Sequence, residues 1–503
     1  MNKKTKKRFQ IPSSFSVLLM IIAVMAILTW IIPAGQYKVD KAGAILSGSY
    51  ESVKQNPQGI WDVFMAPINA MLSKSSTNSA IDIAFFILMV GGFLGVVNET
   101  GTLDVGIASI VRKYKGREKM LILILMPLFA LGGTTYGMGE ETMAFYPLLV
   151  PVMMSVGFDS LTGVAIALLG SQVGCLASTL NPFATVIASG TAGISSASGL
   201  LLRLIFWFVL TGLSTYYVYR YADKVQKDPT ASLTYASRED DMKYFNVESE
   251  QETPSHMTKK QKRVLFIFVL TFTIMIAGFI PFKDLGITFF VNFNESLHKV
   301  PVLGQIIGNT DALGTWYFPQ TAMLFAFMAI LVGVIDGMKE DKIISSFMNG
   351  AADLLSVALI VAVARGIQVI MNEGMITATI LHWGEEGLKG LSSQLFIVLT
   401  YIFYLPMSFL IPSSSGLASA TMGIMAPLGK FVNVPASLIV TAYQSASGLL
   451  NLIAPTSGIL MGSLALGRVD LSTWWKFMGK LVVAMVLITI ALLLLGTMVP
   501  FLQ

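Results

Sequence analysis

The chain has little charge, one cysteine and three histidines, and each scarcity excludes a class of function. With Cys175 as the single cysteine, neither an internal disulfide nor a CxxC metal site is available. The histidines show no HExxH or paired-ligand spacing, and no GxxxxGK[ST] phosphate-binding loop is present. The sequence therefore predicts no metal site, no cofactor and no ATP-driven step within this chain.

Charged residues make up only 13% of the 503-residue chain, whereas soluble domains carry about 25%. Hydrophobic residues make up 54% and are gathered into runs, several of which reach the roughly 20 residues that cross a bilayer. The net charge of +5 fits Lys and Arg gathered in cytoplasmic loops, so it does not indicate nucleic-acid binding. This composition predicts an all-α protein that crosses a membrane many times.

The N-terminus combines a basic start with a long apolar run, "SVLLMIIAVMAILTWII". A cleaved signal peptide is the alternative, but the run is long, the cleavage pattern is poor and many more spans follow. We interpret it as a first transmembrane helix that starts in the cytoplasm, in a multi-pass protein of the cytoplasmic membrane. Full spans are predicted at 14–33, 80–97, 119–135, 160–177, 200–220, 263–281, 318–337, 350–371, 392–411 and 475–500.

The chain divides at a polar stretch, residues 221–262, whose composition cannot bury enough apolar surface to fold alone. We interpret this stretch as a cytoplasmic linker between two membrane halves. Residues 34–79 and 282–317 are mixed in polarity, and we place both outside. The predicted units are 1–79 (first helix and external segment), 80–220 (first repeat), 221–262 (linker), 263–349 (two connecting helices) and 350–503 (second repeat and last helix).

The two halves share four features at near-constant spacing. "VVNETG" matches "IMNEGM", and "GMGEETMAFYPLLVP" matches "SSSGLASATMGIMAP". Gln172 corresponds to Gln444, and Pro182 to Pro455, so that all four offsets lie between 272 and 276 residues. A constant offset across four features indicates an internal repeat.

Charge predicts how the repeats are oriented. The segment after the first NE pair is rich in basic residues: Arg112, Lys113, Lys115, Arg117 and Lys119. Its counterpart, "NEGMITATILHWGEEGLKG", carries three acids and a single lysine. Under the positive-inside rule the two segments lie on opposite sides of the membrane, so the repeats have inverted topology. Inverted repeats with interrupted helices are typical of secondary transporters, whose substrate site lies near the midplane.

Four stretches look too short or too broken to span: 136–155, 178–198, 412–430 and 451–469. They are rich in Gly, Pro, Ser, Thr and Asn, and proline removes a backbone donor and interrupts a helix. Irregular backbone survives at membrane depth only inside protein or along a wet cavity. The alternative is ordinary kinked helices or small-residue packing faces. Because the stretches occupy corresponding places in the two halves, we favour a binding site.

These motifs resemble a known family. "NETG…DVGI…RKYKGREK…GGTTYGMGEETMAFYPLLVP…LNPFATVIASG" and "IPSSSGLASATMGIMAPL…NLIAPTSGILMG" are similar to the YfcC-type carriers of the C4-dicarboxylate anaerobic carrier group, in the ion-transporter superfamily. The resemblance covers residues 10–490. It implies re-entrant hairpins and unwound helices whose tips hold substrate, and a homodimer formed through scaffold helices. The group's name implies dicarboxylates, whereas relatives in arginine-deiminase operons imply arginine/ornithine exchange.

Carried over by position, the resemblance assigns substrate-binding tips in both halves. The tip residues are Ser178, Thr179, Asn181 and Thr185 in the first half, and Ser413, Ser414, Ser415, Asn451, Thr456 and Ser457 in the second. Hydroxyl and carbonyl groups suit substrate hydrogen bonds, and they also suit Na⁺ coordination. Coupling to Na⁺ or H⁺ therefore stays open beside simple exchange.

Two adjacent acids, Glu140 and Glu141, lie in the first broken stretch, and an ionisable residue at membrane depth is a functional candidate. Neighbouring helical residues point about 100° apart, so we expect only one of them to face a given pocket. An ionised acid would repel a dicarboxylate but would pair with a guanidinium or ammonium group. Half-helix N-termini would then receive the α-carboxylate of the substrate.

Arg365, in "VALIVAVARGIQVI", lies in the middle of a predicted span, and two roles are open for it. It binds the substrate carboxylate, or it is the internal counter-ion of Glu140 or Glu141, since buried charges are commonly paired. Three functions follow in order. The first is an antiporter of basic amino acids; the second is a Na⁺- or H⁺-coupled carrier of C4-dicarboxylates or other organic anions. The third, a membrane-embedded enzyme or scaffold, lacks any nucleophile–base pair.

Overall fold

The computed structural model describes residues 14–38, 48–72, 80–103, 105–106, 109, 116–245, 247, 257–280, 282–283 and 286–502. Arg112, Lys113 and Lys115 of the basic segment lie outside these residues. Within them the chain is almost entirely helical, and one small sheet pairs β1 (Gly35–Gln36) antiparallel to β2 (Glu51–Ser52). The prediction of an all-α polytopic protein is confirmed.

The first part of the chain ends with a short helix of the linker. Its helices are α1 (Ser14–Ile31), α2 (Ile60–Leu72), α3 (Ala80–Glu99), α4 (Met120–Tyr136), α5 (Tyr146–Ser155), α6 (Ser160–Ala177), α7 (Ile187–Thr191), α8 (Leu200–Lys227) and α9 (Arg238–Tyr244). A 3-10 helix (Glu140–Phe145) precedes α5, and a π-helical turn (Pro182–Val186) precedes α7. Two further 3-10 turns, Pro229–Ala231 and Tyr235–Ser237, lie in the linker.

The second part begins after the linker. Its helices are α10 (Lys259–Phe279), α11 (Phe289–Lys299), α12 (Leu303–Ile307), α13 (Phe318–Asp336), α14 (Glu340–Asp353), α15 (Leu355–Glu373), α16 (Ile376–Leu388), α17 (Ser393–Leu410), α18 (Ser414–Phe431), α19 (Ala436–Asn451), α20 (Gly458–Leu466) and α21 (Leu471–Met498). A 3-10 turn, Pro500–Leu502, follows the last helix.

Eight of the described helices are long and apolar enough to cross a membrane: α3, α6, α8, α10, α13, α15, α17 and α21. Each falls on a predicted span. The predicted spans 14–33 and 119–135 fall on α1 and α4, which are apolar but shorter. Helices prevail because hydrocarbon offers no partner for a free backbone N–H or C=O, and a helix satisfies both internally.

One predicted span, 350–371, starts in the wrong place. The chain breaks at Leu354, between α14 and α15, and the membrane-length apolar run begins only at Leu355. The preceding α14 carries exposed charged residues, such as Asp341 and Lys342, that hydrocarbon would not accept. Sequence reasoning merged the end of an amphipathic helix with the span that follows it.

The predicted broken stretch 412–430 is also wrong in part. From Ser414 to Phe431 the chain forms one continuous helix with Pro427 inside it. The interruption falls instead at 411–413, where Pro412 disfavours helical geometry for Ile411, whose φ and ψ are −118° and 84°. For this stretch the kinked-helix alternative holds downstream of the break.

Sequence reasoning missed α19, because its Ser, Thr and Gln residues make it look too polar to span. In the structure nearly every residue of α19 is buried against protein rather than exposed to lipid. Residues 34–79 and 282–317 likewise contain helices: α2 packs on α15, where Gly366 lies against Pro67 and Ala66.

The linker is more ordered than its composition suggests, because it folds on two buried carboxylates. Asp159 accepts hydrogen bonds from Tyr221 and Ser232, both at 2.6 Å. Asp241, in α9, pairs with Arg468 at 2.9 Å. The polar segment thus gains from the membrane domain the partners that it lacks alone.

The long helix α8 defines the two faces of the molecule, since its 28 residues extend for about 42 Å. At its C-terminal end, which we call the linker face, Asp223 pairs with Lys119 at the start of α4. At its N-terminal end, Gly199 lies against Ser437 at the start of α19.

Two hairpins enter from these opposite faces. The hairpin of α4 and α5 opens at the linker face, beside Lys119 and Asp159. The hairpin of α17 and α18 opens at the other face, where Ser393 Oγ donates to Val432 O at 2.6 Å. This placement agrees with the inverted order of the halves, although the repeat relationship itself stays a prediction.

Small residues let α3 and α14 touch along their backbones. A Cβ added to Gly350 would collide with the carbonyl oxygen of Gly91 and would lie 2.8 Å from Gly95 Cα. The Gly91/Gly95 pair therefore serves helix packing, which is the small-residue reading of such spacing.

We predict that Gly350→Ala lowers the melting temperature in detergent by a few degrees, because overpacking costs about 1–3 kcal/mol. Gly212→Ala is the matched control, since nothing lies within 4 Å of a Cβ placed there in α8. That control should be neutral or slightly stabilising, because Ala exceeds Gly in helix propensity by about 1 kcal/mol. Equal melting temperatures for the two variants would contradict the close packing of α3 on α14.

Candidate substrate-binding site

A central cavity lies where the two hairpins meet the interrupted helices of the opposite half. Ten of the thirteen predicted site residues line it: Glu140, Glu141, Asn181, Arg365, Ser413, Ser414, Ser415, Asn451, Thr456 and Ser457. They come from segments more than 300 residues apart in sequence, and both halves contribute. The structure thus brings most of the predicted set together around one space.

Ser178, Thr179 and Thr185 do not line this cavity. Thr179 is held from behind by Thr134, whose Oγ1 accepts from Thr179 N at 3.0 Å and whose carbonyl accepts from Thr179 Oγ1 at 2.9 Å. Ser178 and Thr185 share a hydroxyl–hydroxyl bond of 2.7 Å. These side chains satisfy the broken backbone next to the cavity.

Glu140 and Glu141 both border the cavity, contrary to the expectation that only one would. They begin a 3-10 helix, in which Glu141 is 2% exposed while the Glu140 side chain is 24% exposed. Glu141 Oε2 accepts from Gly139 N at 2.8 Å, so the backbone holds this carboxylate in place. Glu140 is the more accessible of the two acids.

Arg365 reaches the same space from α15. Its Nη2 lies 4.0 Å from Glu140 Oε1, which is close enough for charge attraction but too long for a hydrogen bond. Asp82, in the first turn of α3, adds a second negative charge that acts on the guanidinium. Arg365 therefore lies between acids and borders the cavity, so both of its predicted roles keep structural support.

Two helix N-termini point their free N–H groups toward the cavity. Ser413 caps α18, accepting from Gly416 N at 3.2 Å, and Ser457 caps α20, accepting from Leu460 N at 3.3 Å. Asn181 caps the π-helical turn in the same way, with Phe183 N at 2.9 Å. Such ends attract anionic groups through unpaired N–H groups and the helix dipole.

Sequence reasoning left two buried glutamines, Gln172 and Gln444, out of the site, although both line the cavity. Gln444 crosses to the other half: its Nε2 donates to Ser178 O at 3.0 Å, and its Oε1 accepts from Thr185 Oγ1 at 2.8 Å. Gln172 donates to Met138 O at only 3.4 Å, and its Oε1 has no partner among the described residues. Their matched positions in the repeat were the available signal.

The arrangement leaves acceptors for a ligand. Thr456 Oγ1, like Gln172 Oε1, is buried on the cavity wall with no partner among the described residues. Gln368, one turn after Arg365, was also missed and could have been found from helical periodicity. Within the described chain, no group of three or more His, Cys, Asp or Glu residues could hold a metal ion.

Two hairpins and two interrupted helices that surround a charged cavity inside a multi-pass membrane protein define the class: a transporter rather than an enzyme. The model of the DcuC family, described as C4-dicarboxylate anaerobic carrier, matches residues 11–498. The chain belongs to this family.

Relatives and solved structures agree with that class. An uncharacterized protein of Haemophilus influenzae is 30% identical, with 96% of each chain covered. The Escherichia coli protein "Putative basic amino acid antiporter YfcC" is 28% identical, with 94% of each covered. The YdaH transporter of Alcanivorax borkumensis matches with a TM-score of 0.43 and 14% identity over 96% of this chain and 98% of that one. MtrF of Neisseria gonorrhoeae, from a class of antimetabolite efflux pumps, matches with 0.43 and 15% over 97% and 95%.

We predict that Gln444→Ala destabilises the protein more than Gln172→Ala does. Removing Gln444 leaves buried partners in the other half unsatisfied, at a cost of about 1–3 kcal/mol. The contacts of Gln172 are long, and its Oε1 is available to a ligand, so its loss should act mainly on transport. Thermal unfolding in detergent and uptake by proteoliposomes measure the two effects. Similar losses of stability would contradict the asymmetry.

Proposed function

We propose that this carrier exchanges basic amino acids, arginine against ornithine, and binds the cationic end of its substrate at Glu140 and Glu141. The observation that carries the proposal is the charge of the cavity: two carboxylates face a single guanidinium. With both acids ionised, the empty cavity has a net charge of −1. A guanidinium or ammonium group supplies the missing positive charge and forms charge-assisted hydrogen bonds with these acids.

The other end of an amino acid finds complementary groups nearby. Arg365 and the N-termini of α18 and α20 offer positive charge and free N–H groups for an α-carboxylate. Gln172 Oε1 offers a further acceptor for substrate N–H groups. A zwitterionic substrate with a cationic side chain thus has a partner for each of its charges, and the remaining side chains provide neutral hydrogen bonds.

Charge also favours exchange over one-way transport. Moving a cavity with an uncompensated charge through a low-dielectric membrane interior is costly. A bound cation removes most of that cost, so the loaded carrier reorients more readily than the empty one. The printed name of the YfcC relative, a basic amino acid antiporter, supports the same assignment.

The alternative is a Na⁺- or H⁺-coupled carrier of C4-dicarboxylates or other organic anions. Arg365 and the two helix N-termini favour it, as does the description of the family. It requires Glu140 and Glu141 to be neutralised, by protons or a bound cation, before an anion could enter. We rank it second because a cationic substrate needs no such step.

We further propose that the linker face is cytoplasmic in the plasma or inner membrane and that the N-terminus starts there. Basic residues gather on that face, and the positive-inside rule then sets its side: Arg117, Lys119, Lys224, Lys227, Lys259, Lys260, Lys262 and Arg263. A homodimer through scaffold helices stays part of the proposal, by analogy with the superfamily.

We predict that proteoliposomes preloaded with ornithine take up labelled arginine by counterflow, and that empty or succinate-loaded vesicles do not. The physical reason is that only a cationic exchange partner compensates the cavity for the return step. Uptake of labelled succinate or fumarate by vesicles loaded with the same acid, without arginine exchange, would reverse the order of the two functions.

We predict that Glu140→Gln and Glu141→Gln each slow arginine exchange by about 10- to 100-fold, since a hydrogen bond to a charged group contributes roughly 1.5–3 kcal/mol. Glu239→Gln, an exposed acid of α9, is the matched control and should exchange at the wild-type rate. Arginine exchange at the full rate by either cavity variant would remove that acid from recognition.

The pairing of Glu140 with Arg365 is tested by adding Arg365→Gln and the double variant. If the two residues act mainly as counter-ions, the double variant should unfold at a higher temperature than either single variant, because no unpaired charge remains. If Arg365 binds the substrate carboxylate, the double variant regains stability but no transport.

A further inference from the structure

A second cavity of about 310 Å³ lies nearer the linker face. Asn98 of α3, Pro151 of α5, Asp353 of α14 and Leu466 of α20 contribute to its wall, and Tyr244 closes one side from the linker. The wall on that side is held in place, because Asp241 in the same short helix pairs with buried partners of the membrane domain.

Three elements line both cavities in succession. Along α15, Val361 and Arg365 border the central cavity and Leu354 borders the second. Along α20 the corresponding residues are Gly458 and Leu466, which are about 12 Å apart at 1.5 Å per residue. The hairpin follows the same order, with its acids at the first cavity and its prolines at the second. The second cavity is therefore the continuation of the first toward the linker face.

One layer of side chains separates the two spaces. Met143 and Val357 are 1% and 2% exposed and meet over Gly462 of α20. A Cβ built on Gly462 would lie 2.5 Å from Met143 Cε and 3.1 Å from Val357 Cγ1. The glycine thus makes room for the Met143 thioether, which fills the gap between the 3-10 helix, α15 and α20.

We propose that the second cavity is a transit site for the substrate on the linker side, and that Met143, seated on Gly462 and Val357, closes it from the central cavity. The chain there is suited to both tasks. An apolar layer excludes water and ions, and Met has three rotatable bonds, so it can swing aside without breaking a backbone hydrogen bond. Asn98 and Asp353 provide a polar wall for a charged solute beyond it.

The single cysteine is a built-in reporter for this test, because Cys175 lines the central cavity and is partly exposed there. A membrane-impermeant methanethiosulfonate reagent is added to one face of sealed vesicles, and the labelling rate of Cys175 is measured. We expect Met143→Ala to label about tenfold faster than wild type from the linker face, since truncation favours the open state. Labelling from the other face should not change.

Val357→Ala removes the other side of the same contact and should act in the same direction, which guards against a fold defect of one variant. Met153→Ala is the matched control: Met153 is fully buried in α5 and lines neither cavity. Cys175→Ser abolishes the signal. In that background, Glu239→Cys marks the vesicle orientation that exposes the linker face. Unchanged labelling in both truncations, or a rise from the other face, would overturn the proposal whatever the substrate proves to be.

Discussion

The structure depends on satisfying broken helix backbone without water. The first break is closed across the halves, because Gln444 of α19 bonds Ser178 O and Thr185. In the second, the indoles of Trp474 and Trp475 donate to Leu452 O and Ile453 O at 2.6 and 2.9 Å. An unsatisfied carbonyl at membrane depth costs several kcal/mol. These side chains therefore make it possible for helix ends, rather than continuous helices, to face the central cavity.

The same breaks explain why charge can exist inside the protein. Helix ends provide N–H groups, and hydrogen-bonded carboxylates such as Glu141 use them, through Gly139 N, as a substitute for water. Glu140, Arg365 and Asp82 then form a chain of opposite charges along one wall. Because the corresponding stretch of the second half, "SSSGLASATMG", carries no acid, the cavity is electrically one-sided although the scaffold around it has two similar halves. A substrate with distinct ends fits such a space.

Much of the fold could be predicted because hydrocarbon leaves few choices: all ten predicted spans fall on helices. Predictions failed where packing, not lipid, decides. A helix buried in protein can be polar, so α19 was missed. The amphipathic α14 ends beside the span α15, so the two were merged. Pro427 stays within a helix, since the break occurs earlier, at Pro412. The linker acquired structure from Asp159, a partner that composition cannot reveal.

By itself, the sequence determined the membrane class, the family and most of the residues that border the cavity. These follow from local properties: apolar runs, helix breakers and acids where lipid would not tolerate them. Only the tertiary structure decided which residues meet. It set Thr179 behind the cavity, against Thr134, and placed Arg365 4.0 Å from Glu140. It also seated Met143 on Gly462. Such contacts join segments far apart in the chain, and their distances depend on how whole helices pack.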